Sequence, residues 1–229
     1  MFQLRTDWNP KQARLKAIIL RTDRFPETRA LLFSMHSTLH TSEVYDTHSE
    51  TYMDEVWSGV DERAFRTMPT IKDVTIAWDI WHITRIEDLT ANILVGGGSQ
   101  LLNDSWLRKM KTRVKDTGNA MTDEEINRLS NEISMNDLKR YRNAVGKRTK
   151  EIVENLRQED MKQRVVKSRL TRILNEGGVI QHKDSIWLLD FWGRKNIAGI
   201  FLMPITRHQV VHLNDCQKLK EKCKRMHIG

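Results

Sequence analysis

Apolar residues recur along most of this chain at the three-to-four spacing of half-buried helices, and alternating polarity is almost absent. Residues 1–25 read as an arm carrying a short amphipathic helix (Leu15, Ile18, Ile19) that stops before Pro26. A longer helix is predicted over about 27–60. Its stripe runs Leu32, Met35, Leu39 and on towards Val56, with His36 and His40 beside it. Met68-Pro69-Thr70 interrupts the pattern, and Thr70 or Asp73 is placed to cap a second long helix over about 71–95. There His82 falls in a row with Ile86, Leu89 and Ile93, and Gly96-Gly97-Gly98-Ser99 closes the helix. Those glycines do not read as a phosphate loop, because no strand precedes them and no Gly-Lys-Ser/Thr follows.

Residues 100–135 read as an insertion holding one short helix that starts at a Thr122–Glu125 capping box. A third long helix is predicted over about 136–159, with Leu138, Tyr141, Val145, Ile152 and Leu156 on one side. A short helix over about 160–174 stops at Asn175-Glu176-Gly177-Gly178. A last helical region spans about 185–225, where Pro204 either kinks the chain or marks the first turn of the final helix. Four long amphipathic segments without strands give an all-α fold, a four-helix bundle with an N-terminal arm and helical insertions.

Composition alters this picture little. A chain of 229 residues buries a core without disulfides or a structural metal, so a metal site in it points to function rather than to folding. The net charge of +8 favours anionic partners, but basic and acidic residues are interleaved. The densest cationic group, Lys218, Lys220, Lys222, Lys224 and Arg225, ends the last helix, where cations complement the helix dipole. With no helix-turn-helix or zinc-finger spacing, nucleic acid is not the expected partner. Cys216 and Cys223 lie about 10 Å apart along a helix, too far for a disulfide, and read as reduced thiols in a cytoplasmic chain. Residues 1–10 lack the apolar core of a signal peptide. The longest apolar run, 197–205, is too short to span a membrane.

The candidate chemistry is in the histidines. His208 and His212 are four apart on the last helix and share a face, so both imidazoles can meet one ion. They fall on what reads as its inward row, Ile205, His208, His212 and Leu219, where unsatisfied imidazoles are costly and a metal satisfies both. Residue 209 is Gln, so the His-Glu-x-x-His pattern of a metalloprotease is absent. His82, inward on a different helix, is the third candidate. Three imidazoles from facing helices suit Zn, Ni or Fe(II) and leave a coordination position open, as catalytic sites do and closed structural sites do not. On spacing alone, ordinary core or surface histidines remain the competing reading.

The segment from Trp78 to Asp88, with Trp81, His82, Arg85 and Glu87, resembles the second-helix motif of the DinB-like superfamily. Arg207-His208-Gln209-Val210-Val211-His212-Leu213 resembles its fourth-helix motif. The resemblance implies a bundle over residues 26–229, after the arm of 1–25, with insertions at about 100–135 and 160–180. It also implies a divalent metal (Zn, Ni, Fe or Mn) held by His82, His208 and His212. Further implied are a thiol-dependent transferase using bacillithiol, mycothiol or glutathione, or a metal-dependent hydrolase, and a homodimer supported by the first helix and arm. The alternative is a non-catalytic binding or stress-response protein with a structural or vestigial metal site.

Around this site His36 and His40 either line the cavity, as acid–base groups or an extra ligand, or form a hydrogen-bonded pair. Arg85 either holds an anionic cofactor or substrate or pairs with Glu87, Asp88 or a neighbouring helix. Asp79 or Asp215 is placed to orient a ligand imidazole. Helix drift turns Cys216 away from the metal, and Trp57, Trp78, Trp81, Trp187 and Trp192 read as core filling.

Overall fold

The structure, a computed structural model, describes residues 2–226. It is all helical: among the described residues there is no strand, only a single bridge between Arg164 and Asn196. The arm begins with a wide π-type turn, Leu4–Trp8, and continues as α1 (Asn9–Ile18). Trp8, Leu15, Ile18 and Ile19 are buried against the rest of the chain, while Leu20 is exposed.

The helix expected over 27–60 is three separate helices. Helix α2 (Phe25–Leu39) starts on Pro26, whose fixed backbone suits a first turn. It stops where His40 turns extended (φ −121°, ψ 162°). Helix α3 (Ser42–Tyr45) ends at Asp46 in a left-handed conformation, and α4 (Tyr52–Trp57) restarts on a Thr51–Asp54 capping box. The stripe from Leu32 to Val56 is therefore buried, but by elements that local side-chain capping has separated.

After α5 (Glu62–Arg66) comes the central helix, α6 (Ile76–Glu87), extended by wider turns over Asp88–Val95. It begins later than expected. Thr75, not Thr70 or Asp73, is its cap, accepting from the Trp78 amide at 3.0 Å, while Thr70 donates to Asp73 in an exposed turn. Apart from Trp78, every residue of α6 is buried. The glycines close this helix as expected: Gly97 is left-handed (φ +69°), and a Cβ there would run into the Arg169 guanidinium.

Within the insertion lie α7 (Asp104–Met110) and α8 (Asp123–Glu132), the latter starting on the expected Thr122–Glu125 box. Helix α9 (Met135–Asn155) is the third long helix, followed by α10 (Lys167–Asn175). The last region is divided into α11 (Lys183–Gly193), α12 (Ile197–Leu202) and α13 (His208–Arg225). Pro204 lies in a π-type segment, Met203–Arg207, that joins α12 to α13, so it falls before α13 and not inside it.

Helices α2, α9, α6 and α13 form a closed ring, each packing on the next and α13 returning to α2. This is the four-helix bundle, with α1 and α12 against one flank. The inward row of this last region runs from Ile205, just before α13, through Gln209, Leu213, Cys216, Leu219, Lys220 and Cys223, so Ile205 and Leu219 are buried as expected while His208 and His212 border the row half-buried. The sequence hides this row because two of its members are polar. Gln209 is satisfied by Glu87 and Arg142, and Lys220 donates to the Glu55, Val56 and Ser58 carbonyls at the end of α4. The other lysines of the terminal cluster have partners too: Lys218 with Asp215, Lys222 with Asp73 and Lys224 with Glu221. No helix among the described residues is long and apolar enough to cross a membrane.

Candidate metal centre

Helix α6 brings His82, and α13 brings His208 and His212, to one point on the bundle flank. One ring nitrogen from each lies within 4.8 Å of the others. The Nε2 atoms of His82 and His208 are 3.2 Å apart, and the three ring centroids are separated by 4.6 to 5.0 Å.

The outward-facing nitrogens decide what this cluster can do. His82 Nδ1 lies 2.7 Å from the Thr117 carbonyl, which can only accept, so Nδ1 carries the proton and Nε2 presents a lone pair. His212 Nδ1 lies 2.7 Å from Asp79 Oδ1. Both contacts are of the kind that orients ligand histidines. His208 Nδ1 is buried without a partner. Burial pushes the His82 pKa down to about 3 and that of His208 well below its ordinary value, so both rings are neutral, the form that binds metal. Burial also raises the Asp79 carboxyl, against the opposing pull of its bond to His212.

Residues 115–118 build the wall behind His82. Four consecutive carbonyls accept from one face of α6: Lys115 from Arg85 Nε (2.9 Å), Asp116 from Trp81 Nε1 (3.0 Å), Thr117 from His82, and Gly118 from Trp78 Nε1 (3.2 Å). Trp78 also stacks on the His82 ring, centroids 4.6 Å apart. The acceptors are backbone atoms and leave no mark in the sequence. The donors do, since Trp78, Trp81, His82 and Arg85 stand at i, i+3, i+4 and i+7 and form a stripe of ring and guanidinium N–H groups.

Arg85 is fully buried and its three nitrogens are engaged, with the Lys115 carbonyl, Asp88, Tyr141 and Gln100. Here the structure shows the salt-bridge reading and offers no free guanidinium to a cofactor. Asp215 pairs with Lys218, and the carboxylate that faces an imidazole is Asp79. Cys216 lies outside the histidine cluster, its Sγ 3.7 Å from Asp79 Oδ2.

His36 and His40 are not at this centre. They meet Glu87, with His36 Nε2 2.7 Å from Oε1 and His40 Nε2 3.0 Å from Oε2, in a second buried group that has the composition of a metal site. Sequence reasoning did not single out Arg142, and it named Glu87 and Gln209 without bringing them together with His36 and His40.

The three-histidine centre fits a divalent metal. Neutral nitrogen donors suit Zn, Ni or Fe(II). Three ring nitrogens within 4.8 Å of one another are more than the single N–H···N contact between His82 and His208 can pair, and one shared ion would take all three. A four-helix bundle with a three-histidine centre shared between its second and fourth long helices defines the class. The family model of the DinB superfamily matches residues 46–214, and the chain belongs to that family. The matched stretch contains all three histidines and begins after His36 and His40. No curated protein proved similar to the chain in sequence.

Proposed function

We propose that the chain is a metal-dependent protein in which His82, His208 and His212 hold one divalent ion, Zn, Ni, Fe or Mn, with at least one position open. The observation that supports this most is the convergence of the three imidazoles, with His82 locked by Thr117 in the tautomer that turns its lone pair inward.

An ion held by three neutral histidines supplies a bound water or thiol of lowered pKa, a nucleophile at neutral pH. The chain's own residues then have separate tasks. Asp79 and the Thr117 carbonyl aim the rings, and Trp78 covers the His82 face. Arg207 and Val211, the residues directly before His208 and His212, are exposed to solvent. The reaction class is thiol-dependent transfer or hydrolysis, with a low-molecular-weight thiol as the candidate partner.

The test is elemental analysis of tag-free protein beside His82→Ala and His208→Ala, followed by thiol-plus-electrophile and ester panels on the loaded protein. One ion per chain, lost in both variants, with turnover on either panel, is the expected result. No ion after reconstitution overturns the metal centre. A bound ion without turnover on either panel returns the chain to a non-catalytic binding role.

A further inference from the structure

Residues from all four bundle helices meet at the Glu87 carboxylate. His36 comes from α2 and His40 from the residue that ends it, Glu87 from α6, Arg142 from α9 and Gln209 from α13, and none is more than 1% exposed. Gln209 Nε2 donates to Glu87 Oε2 at 2.7 Å and to the Ile205 carbonyl at 3.0 Å, while its Oε1 accepts from Arg142 Nη2 at 2.8 Å. The amide has one workable orientation, because turning it over sets donor against donor at Arg142 and acceptor against acceptor at Glu87. His36 is fixed in turn by the Tyr45 hydroxyl, 2.8 Å from its Nδ1.

A second metal does not suit this group. Glu87 is already balanced by Arg142, whose Nη1 is 4.0 Å away. A dication would leave two uncompensated positive charges in a compartment closed to water, which costs several kcal/mol or more.

We infer that the Glu87–Gln209 bond sets how α13 is registered against α6, making Glu87 and Gln209 positioning residues for the metal centre. This rests on the metal reading above. Gln209 directly follows His208, and Glu87 stands about 7.5 Å beyond His82 along α6. A slide of one helix past the other by a turn, about 5.4 Å, can find new apolar contacts for both helices but carries Gln209 out of hydrogen-bond reach of Glu87. The broken bond leaves a buried carboxylate short of a donor, so the register that opposes His82 to His208 and His212 is enforced one layer away from them.

The experiment measures Co(II) affinity by chelator competition, the Co(II) visible spectrum and the melting temperature with EDTA. It compares wild type, Gln209→Leu, Glu87→Gln and the double exchange Glu87→Gln/Gln209→Glu, which restores the bond between the two positions with donor and acceptor reversed, at the loss of the donation from residue 209 to the Ile205 carbonyl. Gln209→Leu is expected to bind one ion about 10–100-fold more weakly with an altered spectrum, and the exchange to recover affinity to within a few-fold. Should Gln209→Leu not fold, Gln209→Asn, one methylene short, gives the same readout. A lower melting temperature in EDTA with affinity and spectrum unchanged overturns the inference and leaves the metal centre standing. Two ions in wild type, the second lost in Glu87→Gln, also overturns it. No ion in wild type overturns the metal reading itself, and the inference with it.

Discussion

Asp79 carries more of the site than its place in an apolar helix suggests. It is 1% exposed, one oxygen faces His212 Nδ1 and the other receives the Cys216 thiol. A carboxylate on the far nitrogen raises the basicity of the near one and holds the ring in plane with its ion. Asp79→Asn keeps the size and an accepting oxygen but removes the charge. It is expected to weaken metal binding about 10–100-fold with little change in stoichiometry, read by chelator competition; wild-type affinity in the variant would make Asp79 a packing residue only. At this scale the ligand triad is legible in the sequence, because histidines at i, i+4 and a third on another inward face leave few other partners. The Thr117 carbonyl is not, since any residue at position 117 offers the same atom.

Between elements, the close approach of α9 to α2 depends on Gly146. A Cβ built there would lie 2.4 Å from His40 Nδ1, and His40 cannot retreat because its Nε2 is bound to Glu87. Contact with the glycine also accounts for His40 Nδ1 having no hydrogen-bond partner. Alanine is the better helix former by about 1 kcal/mol, so the two effects oppose each other. The clash wins in a core that cannot yield, and Gly146→Ala is expected to lower stability by about 1–3 kcal/mol in urea unfolding with EDTA present. A stabilised variant would show that α2 has room to move. The same pair shows where sequence reading stops. The apolar stripes of α2, α6 and α9 are visible, but not the Thr51 and Thr75 caps that divide and shift them, because Ser, Thr and Asp are common near every candidate boundary. The buried row of α13 is masked by Gln209 and Lys220, whose partners lie on α6, α9 and α4, far away in sequence.

Taken whole, the molecule holds imidazoles in a closed interior and carries a net charge of +8, and it is expected to lose stability in acid. Burial pushes His40 and His82 down to about 3, and His208 well below its ordinary value. Burial would raise the Glu87 carboxyl, but His40 and His36 hold it well below the carboxylate range. The signs agree. Unfolded, each histidine takes up a proton near pH 6.5, while the folded protein does not until about pH 3 for His40 and His82. Unfolded Glu87 likewise protonates before the folded group does. Stability is therefore full above about pH 6.5 and falls as the pH drops, by about 1.4 kcal/mol per pH unit for each such histidine. Two or three of them remove the whole stability of an ordinary domain, about 5–15 kcal/mol, within a few pH units. Melting temperature with EDTA is expected to be level from pH 8 to 7 and to descend steeply below about 6.5. Metal-loaded protein should start higher and lose its advantage over the same range, since protons compete with the ion for His82, His208 and His212. A curve level down to pH 4.5 would mean that the imidazoles are protonated in place, and neither the Glu87 layer nor the three-histidine centre would then be as closed as its geometry indicates.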